Sequence, residues 1–410
     1  MQTLILSLIA FMYLLDLAVT LINDRHSRQP LPPEARGIYD DAQYAKWLNY
    51  SMTTLRYGIV TQTVTTALLL ALLALGAFGW LERLTNAWFS HPLLQTLAFL
   101  GVFALFNLII SLPFSYYRTF VIEEKFGFNK TTHKTFILDT LKSIGLGIVL
   151  GSAVVALLFY LYQTFMGQLW LFILSAWAAL SILVVVLFVL NTKVFVKLFN
   201  KLTPLPDGEL KESIQELAGK VGFNVRAISV MDASKRSTKL NAFFSGLGRT
   251  REVVMFDTLL EKLQPDEILS VLAHELGHAL HKDVPRMLAV QIAVLGVYAA
   301  LIGGILQSPA LAQSFGLSGV HFGFSLILFS ILIAPVELLL SLPVNAISRR
   351  AEYAADAFAA QQAGAQPTLR ALRTLAQENL ANLNPHPLYI LLHYTHPPIP
   401  ARLRAIQAQH

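Results

Sequence analysis

Residues Leu169 to Leu190 read LWLFILSAWAALSILVVVLFVL, a run without one charged side chain. At 1.5 Å per residue its helix would be about 33 Å long, close to the ~30 Å hydrocarbon core of a bilayer. A helix apolar on every side has no face to turn to water, so this one reads as a membrane span. Six further stretches qualify on the same ground: Thr3–Ile22, Ile59–Trp80, Leu94–Phe114, Ile144–Tyr162, Met287–Leu306 and Phe322–Leu342. The first lacks a basic start and a small-residue cleavage site, and so reads as a span rather than a signal peptide.

Composition points the same way. Of 410 residues 55% are hydrophobic and 14% charged, too little polar surface to cover soluble domains of that size. The net charge of +6 does not signal nucleic acid, because no basic patch carries interleaved aromatics. Lys and Arg gather instead in alternate loops. Arg25, Arg28, Arg36, Lys46 and Arg56 follow the first span, and Arg118, Lys125, Lys130, Lys134 and Lys142 follow the third. The loop after the second has only Arg83, and those after the fourth and sixth have no Lys or Arg. The positive-inside rule then puts the N-terminus outside and the C-terminus in the cytoplasm. Without cysteine, disulfides, iron–sulfur clusters and thiolate zinc sites are excluded, so any metal must rest on His and carboxylates.

The expected division is a membrane domain of five spans (1–192), a cytoplasmic peptidase insertion (193–286), two further spans (287–345) and a cytoplasmic helical segment (346–410). The insertion opens with a link around Pro204, Pro206 and Gly208. An amphipathic helix bearing Ile214, Leu217 and Ala218 follows. Strands are expected at Ala227–Met231, Leu240–Ser245 and Glu252–Phe256. Pro265-Asp266-Glu267 then opens a helix, with proline in the first turn and acids at its positive end. Within the spans, Asp16, Asn107 and Glu337 are costly unless they line a wet cavity, form a transport path or pair locally. Pro335 and Pro343 predict kinks in the seventh span.

The helix starting at Pro265 carries His274-Glu275-Leu276-Gly277-His278. Residues four apart share a helix face, so both imidazoles can reach one ion, with Glu275 beside it to accept a proton from water. A catalytic site needs a third ligand and one open position. His281, Asp283, Glu352, Asp356, His386, His393 and His396 are candidates. Asn345, Arg349, Glu352 and Asp356 form a polar stripe at i, i+4, i+7 and i+11, leaving the seventh span directly. The stripe is either an ordinary solvated face or a functional one. In the functional case Glu352 binds the metal, Asp356 hydrogen-bonds a ligating histidine and Arg349 balances their charge.

Several separated pieces resemble the type I CAAX prenyl endopeptidase family. They are Val121–Lys130 (VIEEKFGFNK), Leu240-Asn241-Ala242-Phe243, the His274–His278 motif, the Asn345–Asp356 run, and His393-Tyr394-Thr395-His396-Pro397-Pro398 followed by Arg402. The resemblance implies a mostly α fold: about seven spans around a water-filled chamber, with a cytoplasmic α+β zincin-like metalloprotease domain facing it. It implies one Zn2+ held by His274, His278 and Glu352, with Glu275 as base. His396 and Arg402 would donate to the oxyanion, and a substrate strand would lie beside Asn241 and Ala242. The implied partners are membrane lipids and a peptide or protein substrate bearing a lipid. Ala279-Leu280-His281 is not a stretch the family fixes, and His281 reads as structural or solvated.

Two rivals stand beside this reading. A membrane quality-control metalloprotease shares the metal motif but lacks the Glu123-to-Lys130 signature. A transporter or scaffold with a structural metal would not hydrolyse anything. Compact loops and the lack of a C-terminal retrieval signal favour a bacterial inner membrane, with the endoplasmic reticulum as the alternative.

Overall fold

The computed structural model describes residues 1–223, 227–245 and 252–409. The N-terminal half is α1 (Gln2–Ser27), α2 (Asp41–Ala74), α3 (Ala77–Trp88), α4 (Pro92–Tyr117), α5 (His133–Thr164) and α6 (Leu169–Leu190). π-helical turns at Arg118–Glu123 and Asn191–Val196 extend α4 and α6, the latter into the short α7 (Lys197–Phe199). The insertion contains β1 (Leu202–Pro204), α8 (Glu209–Lys220), β2 (Ala227–Met231), β3 (Ala242–Ser245), β4 (Glu252–Phe256), α9 (Asp257–Lys262) and α10 (Pro265–Leu280). After it come α11 (Asp283–Leu306), α12 (Pro309–Gln313), α13 (Phe322–Leu332), α14 (Ala334–Ala363), α15 (Ala365–Glu378), α16 (Pro387–His393) and α17 (Ile399–Gln407).

Among the described residues six helices are long and apolar enough to cross a bilayer, and α13 with α14 makes a seventh span bent by 50°. Apolar side chains such as Ile148, Val149 and Ile182 stand about two-thirds exposed, as befits a surface that meets lipid tails rather than water. The bend falls at Ile333, ahead of Pro335 in the first turn of α14, whereas Pro343 sits inside a helix that runs on unbroken to Ala363. Of the two predicted kinks, only the first coincides with a break. The polar stripe is therefore a rigid extension of a membrane helix.

The sheet runs β1-β2-β4-β3. β2 and β4 are parallel, Ala227 opposite Glu252, while β1 and β3 flank them antiparallel. β1 corrects the reading of Pro204 as part of a link. It is an edge strand, where proline's missing N–H is tolerated. β3 forms the other edge, beside α10. Leu240, Ala242, Val253, Met255, Leu259, Ile268 and Leu272 bury one face of the sheet against α10. α10 in turn lies on α14, and the two approach closely at Gly277, where a Cβ would stand 3.1 Å from the Ala355 Cα.

The Val121–Lys130 stretch fastens the insertion to the membrane helices. Glu123 accepts from the Tyr50 hydroxyl at 3.0 Å and pairs with the Lys239 ammonium at 3.5 Å. Phe126 and Phe128 pack edge-on to the Tyr50 ring. Lys130 N–H donates to Arg236 O, and Thr238 N–H to Phe128 O. The chain is thus held immediately before Leu240 and the β3 edge.

Of the polar residues in the spans, Asp16 accepts from Gln62 at 2.9 Å and Glu337 from the Tyr298 hydroxyl at 3.1 Å. Both line a cavity of about 580 Å³ between α1, α2 and α14. Asn107 donates to Phe103 O on its own helix.

Candidate active site

α10 begins with Pro265 in its first turn and a reciprocal cap between Gln264 and Glu267, and it presents His274 and His278 one turn apart toward α14. There they meet Glu352. The His274 and His278 Nε2 atoms are 3.1 Å apart; His274 Nε2 is 3.5 Å from Glu352 Oε2, and His278 Nε2 is 3.3 Å from Oε1. Metal–ligand bonds of about 2.0–2.1 Å at tetrahedral angles put ligand atoms about 3.3 Å apart. The three side chains stand close to that spacing, each imidazole against one oxygen of the Glu352 carboxylate. Glu352 Oε2 is also buried and has no hydrogen-bond partner among the described residues, although the His274 imidazole lies 3.5 Å and the Arg402 guanidinium 3.7 Å from it. A cation held there would satisfy that atom. The nitrogen and carboxylate donors suit a borderline divalent ion.

Electrostatics favour the same conclusion. Burial opposes charge on His274, yet hydrogen bonds to Asp356 and Glu352 outweigh it and push its pKa up to about 9. Burial likewise opposes ionisation of Glu352, but hydrogen bonds from His274 and His278 hold its carboxyl well below the usual range. Positive charge is thus stabilised between these three groups, whether it arrives as a proton or as a metal ion.

The surrounding residues fall into place by contact. Asp356, almost fully buried, lies 2.9 Å from His274 Nδ1. Arg402 grips Asp356 through Nε at 2.7 Å and Nη2 at 2.6 Å, while Nη1 is 3.7 Å from Glu352. The predicted charge partner Arg349 is turned elsewhere: it donates to the carbonyls of Ile390 and Tyr394, and Asn345 donates to that of Leu392. Arg402 balances the carboxylates, and Arg349 with Asn345 holds α16. The reason is reach, since the carbonyl-rich end of α16 lies across that face of α14. His396, just beyond α16, is 3.1 Å from Glu352 Oε1. His281 is exposed and set edge-on to Phe358, outside the cluster; His386 caps α16; His393 faces Asp16.

Two cavities meet at the cluster. One of about 270 Å³ is lined by Leu240, Asn241, Ala242, Glu275, Glu352 and Arg402 among others. The second, about 690 Å³, runs past Asn241, Glu275 and His278 to apolar residues of α6 and α11 such as Phe188 and Leu288. Asn241 Oδ1 accepts from Ala242 N–H at 2.9 Å, and its carbonyl accepts from Phe256 N–H. Asn379 clamps Leu240 from both sides, accepting from its N–H and donating to its carbonyl. Sequence reasoning missed Asn379, which has no periodic signature. It weighed Asp283 only as a metal ligand, whereas the carboxylate lies 3.0 Å from His278 Nδ1, away from the metal-facing nitrogen.

Comparison with known proteins gives consistent matches along the chain. A family model described as CAAX prenyl protease N-terminal, five membrane helices, matches residues 20–201, and one described as Peptidase family M48 matches residues 204–410. The CAAX prenyl protease 1 homolog of Arabidopsis thaliana is 35% identical, covering 92% of this chain and 91% of its own. CAAX prenyl protease 1 of Saccharomyces cerevisiae is 33% identical, covering 93% and 89%. The crystal structure of S. mikatae Ste24p superposes with a TM-score of 0.92 at 31% identity, covering 99% of this chain and 98% of that one.

Proposed function

The chain belongs to peptidase family M48, and from that premise we propose that it is a zinc endopeptidase that cuts prenylated proteins near their CAAX C-termini. It is a membrane-embedded metallopeptidase. The observation that carries the finer reading is the convergence of His274, His278 and Glu352 at near-tetrahedral spacing beside Glu275 and an open strand edge. A zinc ion held there would supply a Lewis acid for the peptide carbonyl and make water more acidic.

The chain's own residues do the rest. Asn241 and Ala242 pair with an extended substrate at the β3 edge, where backbone groups give affinity without demanding a sequence. Glu275 takes the proton of the attacking water and hands it to the departing amine. His396 and Arg402 Nη1 donate to the developing oxyanion. Asp356 orients His274 and is itself fixed by Arg402. Asn345 and Arg349 fix α16 and hence the stretch that bears His396. The peptidase in this reading is split between 193–286 and 346–410, joined through two spans, and it works on the cytoplasmic face. Short loops favour a bacterial inner membrane, and the plant and fungal sources of the relatives favour the endoplasmic reticulum.

The test is cleavage of two substrates by purified protein with zinc: a farnesylated CAAX peptide and an unrelated misfolded membrane polypeptide. Cutting the first alone supports the proposal. Preference for the second supports quality control, and cleavage of neither with metal bound leaves a scaffold.

A further inference from the structure

Each metal-facing histidine has a carboxylate behind it, but the roles above use only one. Asp283 is 5% exposed, and its Oδ2 lies 3.0 Å from His278 Nδ1 while Oδ1 accepts from Arg286 at 3.1 Å. It gets there by a tight turn: α10 ends at Leu280, Lys282 adopts the left-handed φ of 57°, and Asp283 opens the sixth span, α11, with its carboxylate against His278 Nδ1. A non-glycine residue is sterically strained in that conformation, so the turn is held at a cost to the chain.

We propose that Asp283 is the positioning residue for His278. It accepts the Nδ1 proton, fixes the tautomer that leaves the Nε2 lone pair facing Glu352 and His274, and holds the ring plane. Because it is also the first residue of α11, it ties the metal site to the sixth span. Asp283, Val284, Pro285 and Met287 form one wall of the 690 Å³ cavity in which Glu275 and His278 stand. Displacement of this wall would turn the imidazole. The inference rests on the metal reading of the site.

The experiment is a zinc titration against a competing chelator on the purified full-length chain, comparing wild type, D283A and D283N. Removal of such a supporting carboxylate weakens metal affinity about 10–100-fold. D283A should fall in that range, and D283N should lie between it and wild type, since an amide oxygen accepts but carries no charge. Cobalt substituted for zinc should show shifted visible ligand-field bands in both variants. A merely structural role would lower the melting temperature and leave affinity and bands of the folded protein unchanged; that result overturns the proposal. If D283A does not fold, D283N decides alone by the same criterion. Failure of the wild type to bind zinc overturns the metal reading itself, whereas equal binding by wild type and variants overturns only the role of Asp283.

Discussion

Glu275 sits one residue after His274 and three before His278, lining each cavity that reaches the cluster. Converting it to glutamine keeps the size and removes the basicity. Glu275→Gln should therefore retain the metal and lose at least about 100-fold in kcat, the usual scale of general-base catalysis, in a peptide-cleavage assay with metal content measured alongside. The neighbouring His274 gives a pH prediction. Its pKa is raised to about 9, so in chelator-stripped protein it carries a proton at neutral pH that an incoming ion must displace. Rising pH removes that competitor, while Glu352 is already ionised. Apparent zinc affinity should climb by up to about tenfold per pH unit for each proton displaced and level off above about pH 9. A chelator-competition series that stays flat with pH would contradict it. The metal motif and the stripe were readable in the sequence because helical spacing alone puts those side chains on one face. The partners of Arg349 and Asp283 were not, since one depends on where α16 lies and the other on a single left-handed residue.

Elements differ in how far their sequence declares them. The spans are decided by length and hydrophobicity, which are local; five of the seven apolar runs lie within single helices, while the second (Ile59–Trp80) breaks at Leu75-Gly76 and ends in α3, and the seventh bends at Ile333. α3 escaped notice because it is short and amphipathic: Phe78 packs on Phe99 and Phe103 of α4 and on Phe324 of α13, and Glu82 is buried against the segment that follows α12. There a Cβ at Gly79 would collide with the Gly316 carbonyl, and Glu82 accepts from Ser318. β1 was hidden by its proline and by a partner strand more than twenty residues away. The α10–α14 contact matters most for the site. A side chain at Gly277 would press on the backbone of Ala355, which lies in the turn between Glu352 and Asp356. Gly277→Leu should cost about 1–3 kcal/mol as overpacking and weaken metal binding with it, read from thermal melts and zinc titration in detergent. An unchanged melt would mean that the two helices are not held at this spacing.

At the scale of the whole molecule, a membrane helix and an insertion helix each supply part of one centre. α14 is continuous from Ala334 in the span to Glu352 and Asp356 in the cluster. The proposed orientation, read from the basic loops, puts that centre on the cytoplasmic side, and the lack of cysteine makes the proposal simple to check. Asp207→Cys in the insertion and Gln313→Cys at the end of α12 are both exposed positions. In sealed microsomes, whose outer face is cytoplasmic, an impermeant maleimide should label D207C and spare Q313C until detergent is added. The opposite pattern would invert the topology.

The union of the two helices through a single ion is tested most directly by metal content. Elemental analysis of purified wild type and Glu352→Ala, both shown to be folded, should find about one zinc per chain in the first and far less in the second, because two imidazoles alone leave the site a ligand short. Equal zinc in both proteins, or none in the wild type, would contradict the account.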